Sequence, residues 1–274
     1  MSSSIASTSA ASSILERIFA AKRAELEAER AAVPFEAIRE IAHSAPAPRD
    51  FLAALRARRP AIIAEIKRAS PSKGDILPGL DPAAVARDYA TGGAAAISVL
   101  TDRHFKGSLE DLRTVRAAVN LPLLRKDFIF DPYQLHQARA AGADCILLIA
   151  AMLRGADLAA LYAAARELEL EALVEVHNEE ELRMAARAGA EIVGINNRDL
   201  HTFVTDIAVT ERLLGDYRGA ALIVSESGID TPDDIRRLDR AGARAFLIGE
   251  SLLRGGDPRR KLQALGSALG AGQG

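Results

Sequence analysis

A single cysteine, Cys145, is present in the 274 residues, which excludes an internal disulfide framework and a multi-thiolate metal site. It opens an apolar run that ends at Ala150 and reads as a small core residue. An excess of one charge is also lacking. Lys and Arg number 35 against 37 Asp and Glu, a formal net charge of -2, so neither nucleic acid nor an anionic membrane is expected as a partner. Any anion the protein holds must be held by local groups. No apolar stretch approaches the roughly 20 residues of a membrane span. The N-terminal MSSSIASTSAASS has neither the basic start nor the apolar core of a secretory signal, so a cytoplasmic protein is expected. The histidines, His43, His104, His136, His177 and His201, show no close ligand spacing, and no metal is expected; His177, near a strand end, could line a pocket.

What is present is repetition. Residues 1–12 are Ser/Ala-rich and read as a disordered tail. Ser13 to Glu16 resembles a capping box, and Leu15, Ile18, Phe19 and Leu26 then share a helical face interrupted only by the stem of Lys22. Pro34, Pro46 and Pro48 interrupt the next stretch, and a short helix is expected to start near Asp50. Residues 13–60 thus form a helical extension of one domain, 13–274. From Ala61 onward, short β-rich runs recur at 61–66, 96–100, 121–125, 145–149, 172–176, 192–195, 221–225 and 245–248, with amphipathic helical segments between them. Four junctions place a glycine (Gly93, Gly142, Gly189 or Gly242) just before a strand, as a left-handed helix terminator would be. Eight strands alternating with helices demand parallel pairing. No G-x-G-x-x-G follows the first strand, which argues against an open dinucleotide-binding sheet, and eight units in about 200 residues suit a closed (β/α)8 barrel.

Charges lie where a core should be. Side chains two apart on a strand share a face, so Ile63, Glu65 and Lys67 point one way and Leu173 points with Glu175. Lys126, Asn196 with Arg198, and Glu226 fall at the ends of the third, sixth and seventh strands. A lone charge of this kind is usually solvated or in a structural ion pair. Several at the C-terminal strand ends, where barrel enzymes build their active sites, favour a catalytic constellation. Ser225-Glu226-Ser227-Gly228 after the seventh strand and Ile248-Gly249-Glu250-Ser251 after the eighth suit a phosphate grip, because glycines let backbone N–H groups approach an anion. Ser70 to Gly74, after the first strand, could assist and suits a mobile flap.

Read in order, these segments resemble the indole-3-glycerol phosphate synthase family. The carriers are Ile-Ala-Glu65-Ile-Lys67-Arg-Ala-Ser70-Pro-Ser-Lys-Gly, Leu-Arg-Lys126-Asp-Phe128, Glu175-Val-His-Asn, Gly-Ile-Asn196-Asn-Arg198-Asp-Leu, Ser-Glu226-Ser-Gly228-Ile and Gly249-Glu-Ser251-Leu. The resemblance implies a decarboxylating, dehydrating ring closure of 1-(2-carboxyphenylamino)-1-deoxyribulose 5-phosphate in tryptophan biosynthesis. It implies Lys126 as general acid, Glu175 as base in the dehydration, Lys67 as carboxylate ligand or second acid, and Glu65 in support. Asn196, Arg198 and Glu226 would orient the carboxylate and the ribulose hydroxyls. Ser70, Ser227, Gly228, Gly249, Glu250 and Ser251 would surround the phosphate, and Phe105 and Phe128 would sandwich the aromatic ring. No cofactor is implied, and no partner beyond the small phosphorylated substrate. A related isomerase barrel would not require both lysines and both glutamates, and an idle phosphate-binding barrel would not keep the full set.

Overall fold

The structure, a computed structural model, describes residues 14–70, 74–77, 79–199 and 202–270. The capping box at Ser13 and the Ser/Ala tail lie outside the described residues. Eight parallel strands close into a barrel in chain order: β1 (Ala61–Ile66), β2 (Ala96–Leu100), β3 (Leu123–Lys126), β4 (Cys145–Ile149), β5 (Glu171–Val176), β6 (Ile192–Asn196), β7 (Leu222–Glu226) and β8 (Ala245–Ile248). Closure is made by β1, whose Ile63 lies opposite Leu247 of β8 and Ala96 of β2. The third strand starts later than its apolar run because Pro122 has no N–H to give the ladder, and it extends to Lys126. The sixth and seventh likewise run one residue further, so Asn196 and Glu226 are the last residues of their strands. Gly93, Gly142, Gly189 and Gly242 all have positive φ, between 75° and 117°, as the junction pattern predicts.

Alternation divides the apolar residues into two shells. Ile62, Ala64, Ile66, Ile97, Val99, Leu123, Ile146, Leu148, Val174 and Val193 face the helices. Ala61, Ile63, Ala96, Leu124, Cys145, Leu147, Leu173, Ile192, Val224 and Leu247 fill the interior. Cys145 is therefore a buried core thiol, with burial pushing its pKa up.

Three helices precede the barrel: α1 (Ile14–Ala32), α2 (Phe35–Ser44) and α3 (Phe51–Arg56). The Asp50 carboxylate accepts from Ala53 N at 2.7 Å and starts α3, as expected. Phe51, Leu52 and Leu55 of α3 join the interior cluster and close the N-terminal end of the barrel. The helix α2 is not expected from the prolines. Pro34 is its N-cap and Pro46 follows its end, so both bracket a helix rather than interrupting a loop; Ile38 and Ala42, one turn apart, are its buried face. At the opposite end, Phe19 of α1 meets Phe130 edge to face at 4.8 Å. No helix among the described residues is long and apolar enough to cross a membrane.

Candidate active site

The inward-facing rows of β1, β3, β5, β6 and β7 change from apolar to ionic at their last positions. Interior Ile63, Leu124, Leu173, Ile192 and Val224 are followed two or four residues on by Glu65, Lys126, Glu175, Asn196 and Glu226. These polar ends line a cavity in the C-terminal mouth together with Lys67, Phe105, Phe128, Arg198, Ser227, Gly228, Gly249, Glu250 and Ser251. Every site residue expected from the sequence is there except Ser70, which pairs with Gly74 between two antiparallel strands of two residues each and whose side chain is outside what is described.

Two lysines, in three ion pairs, occupy the cavity floor. Lys67 Nζ lies 2.8 Å from Glu65 Oε1. Lys126 Nζ lies 3.1 Å from Glu175 Oε2 and 3.7 Å from Glu226 Oε2. Asn196 Nδ2 donates to the other oxygen of Glu175 at 3.2 Å, while its Oδ1 accepts from Arg198 N. Burial disfavours the Lys126 ammonium, but Glu175, Glu226 and Glu65 outweigh it and hold its pKa above the usual lysine value. Burial likewise disfavours the Glu175 carboxylate, and Lys126 and His177 outweigh that to hold it below the usual range. Glu226 goes the other way, raised by burial and by the charge of Glu175. Its Oε1 is buried with no hydrogen-bond partner. One ammonium is therefore shared between two carboxylates, and the farther one is driven toward its neutral form.

Two glycines make room for these carboxylates. A Cβ on Gly194 would stand 2.0 Å from Glu226 Oε1, and one on Gly249 would stand 2.6 Å from Glu65 Oε1. Gly249 also caps a five-residue helix, Glu250–Arg254, whose first N–H groups lack partners within the helix. Ser227 and Gly228 are both left-handed, with φ of 68° and 78°, and turn the chain tightly beside it. The side chains here face other partners: Ser251 Oγ donates to Asp230, and Glu250 pairs with Arg254. The Ser251 hydroxyl is thus already engaged, and what these two loops turn toward the cavity includes backbone at two glycines, Gly228 and Gly249. Phe105 and Phe128 have ring centroids 6.5 Å apart and planes tilted by 35°. A third ring between them would need roughly 7–8 Å, two contact distances of 3.5–4.0 Å, so as they stand the two rings are slightly too close to sandwich another.

Two charged groups around the cavity, Asp127 in its lining and Lys22 bound to it, were not expected. The stripe of α1 predicts a covered stem and a solvated head for Lys22, but its ammonium is buried, 2.9 Å from Asp127 and 3.2 Å from Asp102. Asp127 follows Lys126 and also binds Arg125 at 2.9 Å and Thr101 Oγ1 at 2.6 Å; despite burial, Arg125 and Lys22 hold its pKa down to about 2. Two of its partners, Thr101 and Lys22, lie 26 and 105 residues away, out of reach of any local pattern. His177 does not line the cavity; it stands behind Glu175, with Nε2 3.4 Å from Glu175 Oε1. Among the described residues no group of three or more His, Cys, Asp or Glu could hold a metal ion.

Residues 15–265 match the family model for indole-3-glycerol phosphate synthase. The indole-3-glycerol phosphate synthase of Roseiflexus sp. (strain RS-1) is 52% identical over 263 residues, covering 92% of this chain and 98% of that one. That of Chromobacterium violaceum is 49% identical over 259 residues, covering 93% and 98%. Solved structures share the fold at low identity. Thiamine phosphate pyrophosphorylase from Pyrococcus furiosus superposes with a TM-score of 0.58 at 17% identity, over 78% of this chain and 96% of that one. N-acetylmannosamine-6-phosphate 2-epimerase from Clostridium perfringens gives 0.59 at 16%, over 73% and 90%.

Proposed function

The chain belongs to the indole-3-glycerol phosphate synthase family, and from that premise we propose how its site residues divide the work. The chain catalyses closure of 1-(2-carboxyphenylamino)-1-deoxyribulose 5-phosphate to indole-3-glycerol phosphate with loss of CO2 and water. The aromatic carbon that bears the carboxylate attacks the ribulose C2 carbonyl, whose oxygen must gain a proton as the bond forms. Lys126 donates it. Loss of CO2 returns the electrons to the ring. The new hydroxyl then leaves as water with a proton from Lys67, while Glu175 removes a proton from the C1 methylene or the ring nitrogen.

The observation that carries this assignment is the 3.1 Å contact between Lys126 Nζ and Glu175 Oε2 at the strand ends. It couples the two steps. While Lys126 is charged, Glu175 is a weak base; once Lys126 has given its proton to the substrate oxygen, the charge that held Glu175 down is gone and its basicity rises. The acid of the first step thus prepares the base of the second. Asn196, Arg198 and Glu226 orient the carboxylate and hydroxyls, and Lys67, held by Glu65, faces the departing carboxylate. Phe105 and Phe128 pack on the aromatic ring. The phosphate rests on backbone N–H groups of Ser227, Gly228, Gly249, Glu250 and Ser251, with Ser70 closing over it. The reaction requires a small soluble substrate and no cofactor, so the enzyme works in the cytoplasm with no obligatory protein, nucleic-acid or membrane partner. Turnover is read by the distinct fluorescence of the indole product. Lys126→Ala is expected to lower kcat by about 10²–10⁴-fold in a folded protein; an unchanged kcat with a raised KM would make Lys126 a binding group only.

A further inference from the structure

Beyond the lining of the cavity, a row of ionisable side chains runs outward from Lys126. Its Nζ touches Glu175 Oε2, Glu175 Oε1 faces His177 Nε2 at 3.4 Å, and His177 Nδ1 faces Glu181 Oε2 at 3.1 Å. Glu181, in the first turn of the helix Glu179–Arg187, also accepts from the His177 backbone N at 2.7 Å and from Asn178 Nδ2 at 2.6 Å, so the carboxylate is fixed against the imidazole. The Nε2 atom is buried with no well-aligned hydrogen bond, which leaves its contact with Glu175 ionic. Only 13% of the His177 side chain is exposed.

We propose that His177, clamped by Glu181, is a positioning residue that keeps Glu175 ionised when Lys126 loses its proton. The proposal rests on the reading of Lys126 and Glu175 as acid and base. Besides the substrate oxygen, the Lys126 proton has the carboxylates of Glu175 at 3.1 Å and Glu226 at 3.7 Å within reach, and only transfer to the substrate is productive. A cation on the far oxygen of Glu175 makes that carboxylate a poor acceptor and directs the proton to the substrate. It also keeps Glu175 available for the dehydration. Asn196, on the same oxygen, orients Glu175 but brings no charge.

The groups facing the imidazole support a cationic state. Glu175 on its own strand and Glu181 on the next helix both favour the proton, against burial, and the pKa is pushed up to about 10. The positive end of the helix Glu179–Arg187 opposes this, but Glu179 and Glu180 in its first turn offset it. The short segment Ala150–Met152, packed on that helix, carries no charge. Loss of the imidazolium as pH rises should therefore appear as a basic limb of the kcat profile.

The test is the pH profile of kcat for the full chain and for His177→Gln, His177→Arg, Glu181→Gln and Glu175→Gln. An opposite charge within about 4–6 Å moves a pKa by roughly 1–3 units. Glu181→Gln should move the basic limb to lower pH by about one unit or more, with KM little changed. His177→Gln should lower kcat at pH 8 by about tenfold or more, and His177→Arg should recover much of it. A Glu181→Gln limb that does not move, beside an inactive Glu175→Gln, overturns this proposal alone; a fully active Glu175→Gln overturns the reading of Glu175 as base as well. Should the variants not fold, nitrogen NMR of the labelled parent chain decides: His177 is expected to be an imidazolium at pH 8, and a neutral ring there overturns the proposal.

Discussion

The two ends of the barrel are built from the same eight strands and solve opposite problems. At the N-terminal end, α3 closes the interior with Phe51, Leu52 and Leu55, and the buried charges there are matched. Asp144 accepts from Arg49 N at 2.7 Å and Leu123 N at 2.6 Å and pairs with Arg116, while Arg139 donates to the carbonyls of Pro46 and Ala45. At the C-terminal end, Glu175 and Glu226 share one ammonium, Glu226 Oε1 has no partner, and two glycines hold space that side chains would fill. A buried carboxylate left this way costs stability. The difference teaches where evolution had a reason to tolerate that cost. The end without the cavity is packed and its charges are matched; the end with it leaves two carboxylates on one ammonium.

This comparison can be broken most forcefully at the closed end. Phe51→Ala removes a fully buried ring and should lower unfolding free energy by about 3–5 kcal/mol with kcat of the remaining folded protein unchanged; denaturant unfolding beside turnover reads both. A parallel loss of kcat would mean that the plug is coupled to the mouth. A smaller effect is expected from Gly249→Ala, whose Cβ would meet Glu65 Oε1 at 2.6 Å and Glu65 Cβ at 3.0 Å. Glu65 must shift and carry Lys67 with it, and kcat/KM should fall about 10–100-fold, since displacements near 1 Å are felt on that scale. Unaltered kinetics would show that Glu65 does not need its place.

The smallest effect concerns pH. The Glu226 carboxyl has its folded pKa raised by burial and Glu175. Its stabilising contribution is then complete below the unfolded value of about 4.3 and is lost as pH rises through the folded value. Glu226→Gln cannot ionise, so it should be more stable than the parent at pH 8 by roughly 1–2 kcal/mol and no more stable near pH 4, while turning over more slowly. Thermal unfolding at the two pH values checks the sign.

Much of the site was legible because strand alternation is a local rule. Glu65 follows Ile63, and Glu175 follows Leu173, with the same parity that carries the interior apolar residues, so their inward direction could be read from the residues alone. The junction glycines gave the βα repeat in the same way. What could not be read depends on distant partners. The burial of Lys22 is decided by Asp102 and Asp127, and the smallness of Gly194 by Glu226 on the neighbouring strand. His177 looked like one more pocket residue, because nothing in its neighbourhood shows that Glu175 lies between it and the cavity. The helix α2 was hidden by reading Pro34 as an interruption when it is the residue from which the helix starts.

The central claim is that the Lys126 ammonium is a proton donor and not only a counter-ion in the mouth. Lys126→Arg tests it most directly, because arginine keeps the charge between Glu175 and Glu226 but stays protonated in any surroundings, whereas a lysine's pKa moves readily when its partners change. Steady-state kinetics of this variant should show KM near the parent value and kcat lower by about 100-fold or more. A kcat close to that of the parent would contradict the account and move the acid's role to Lys67.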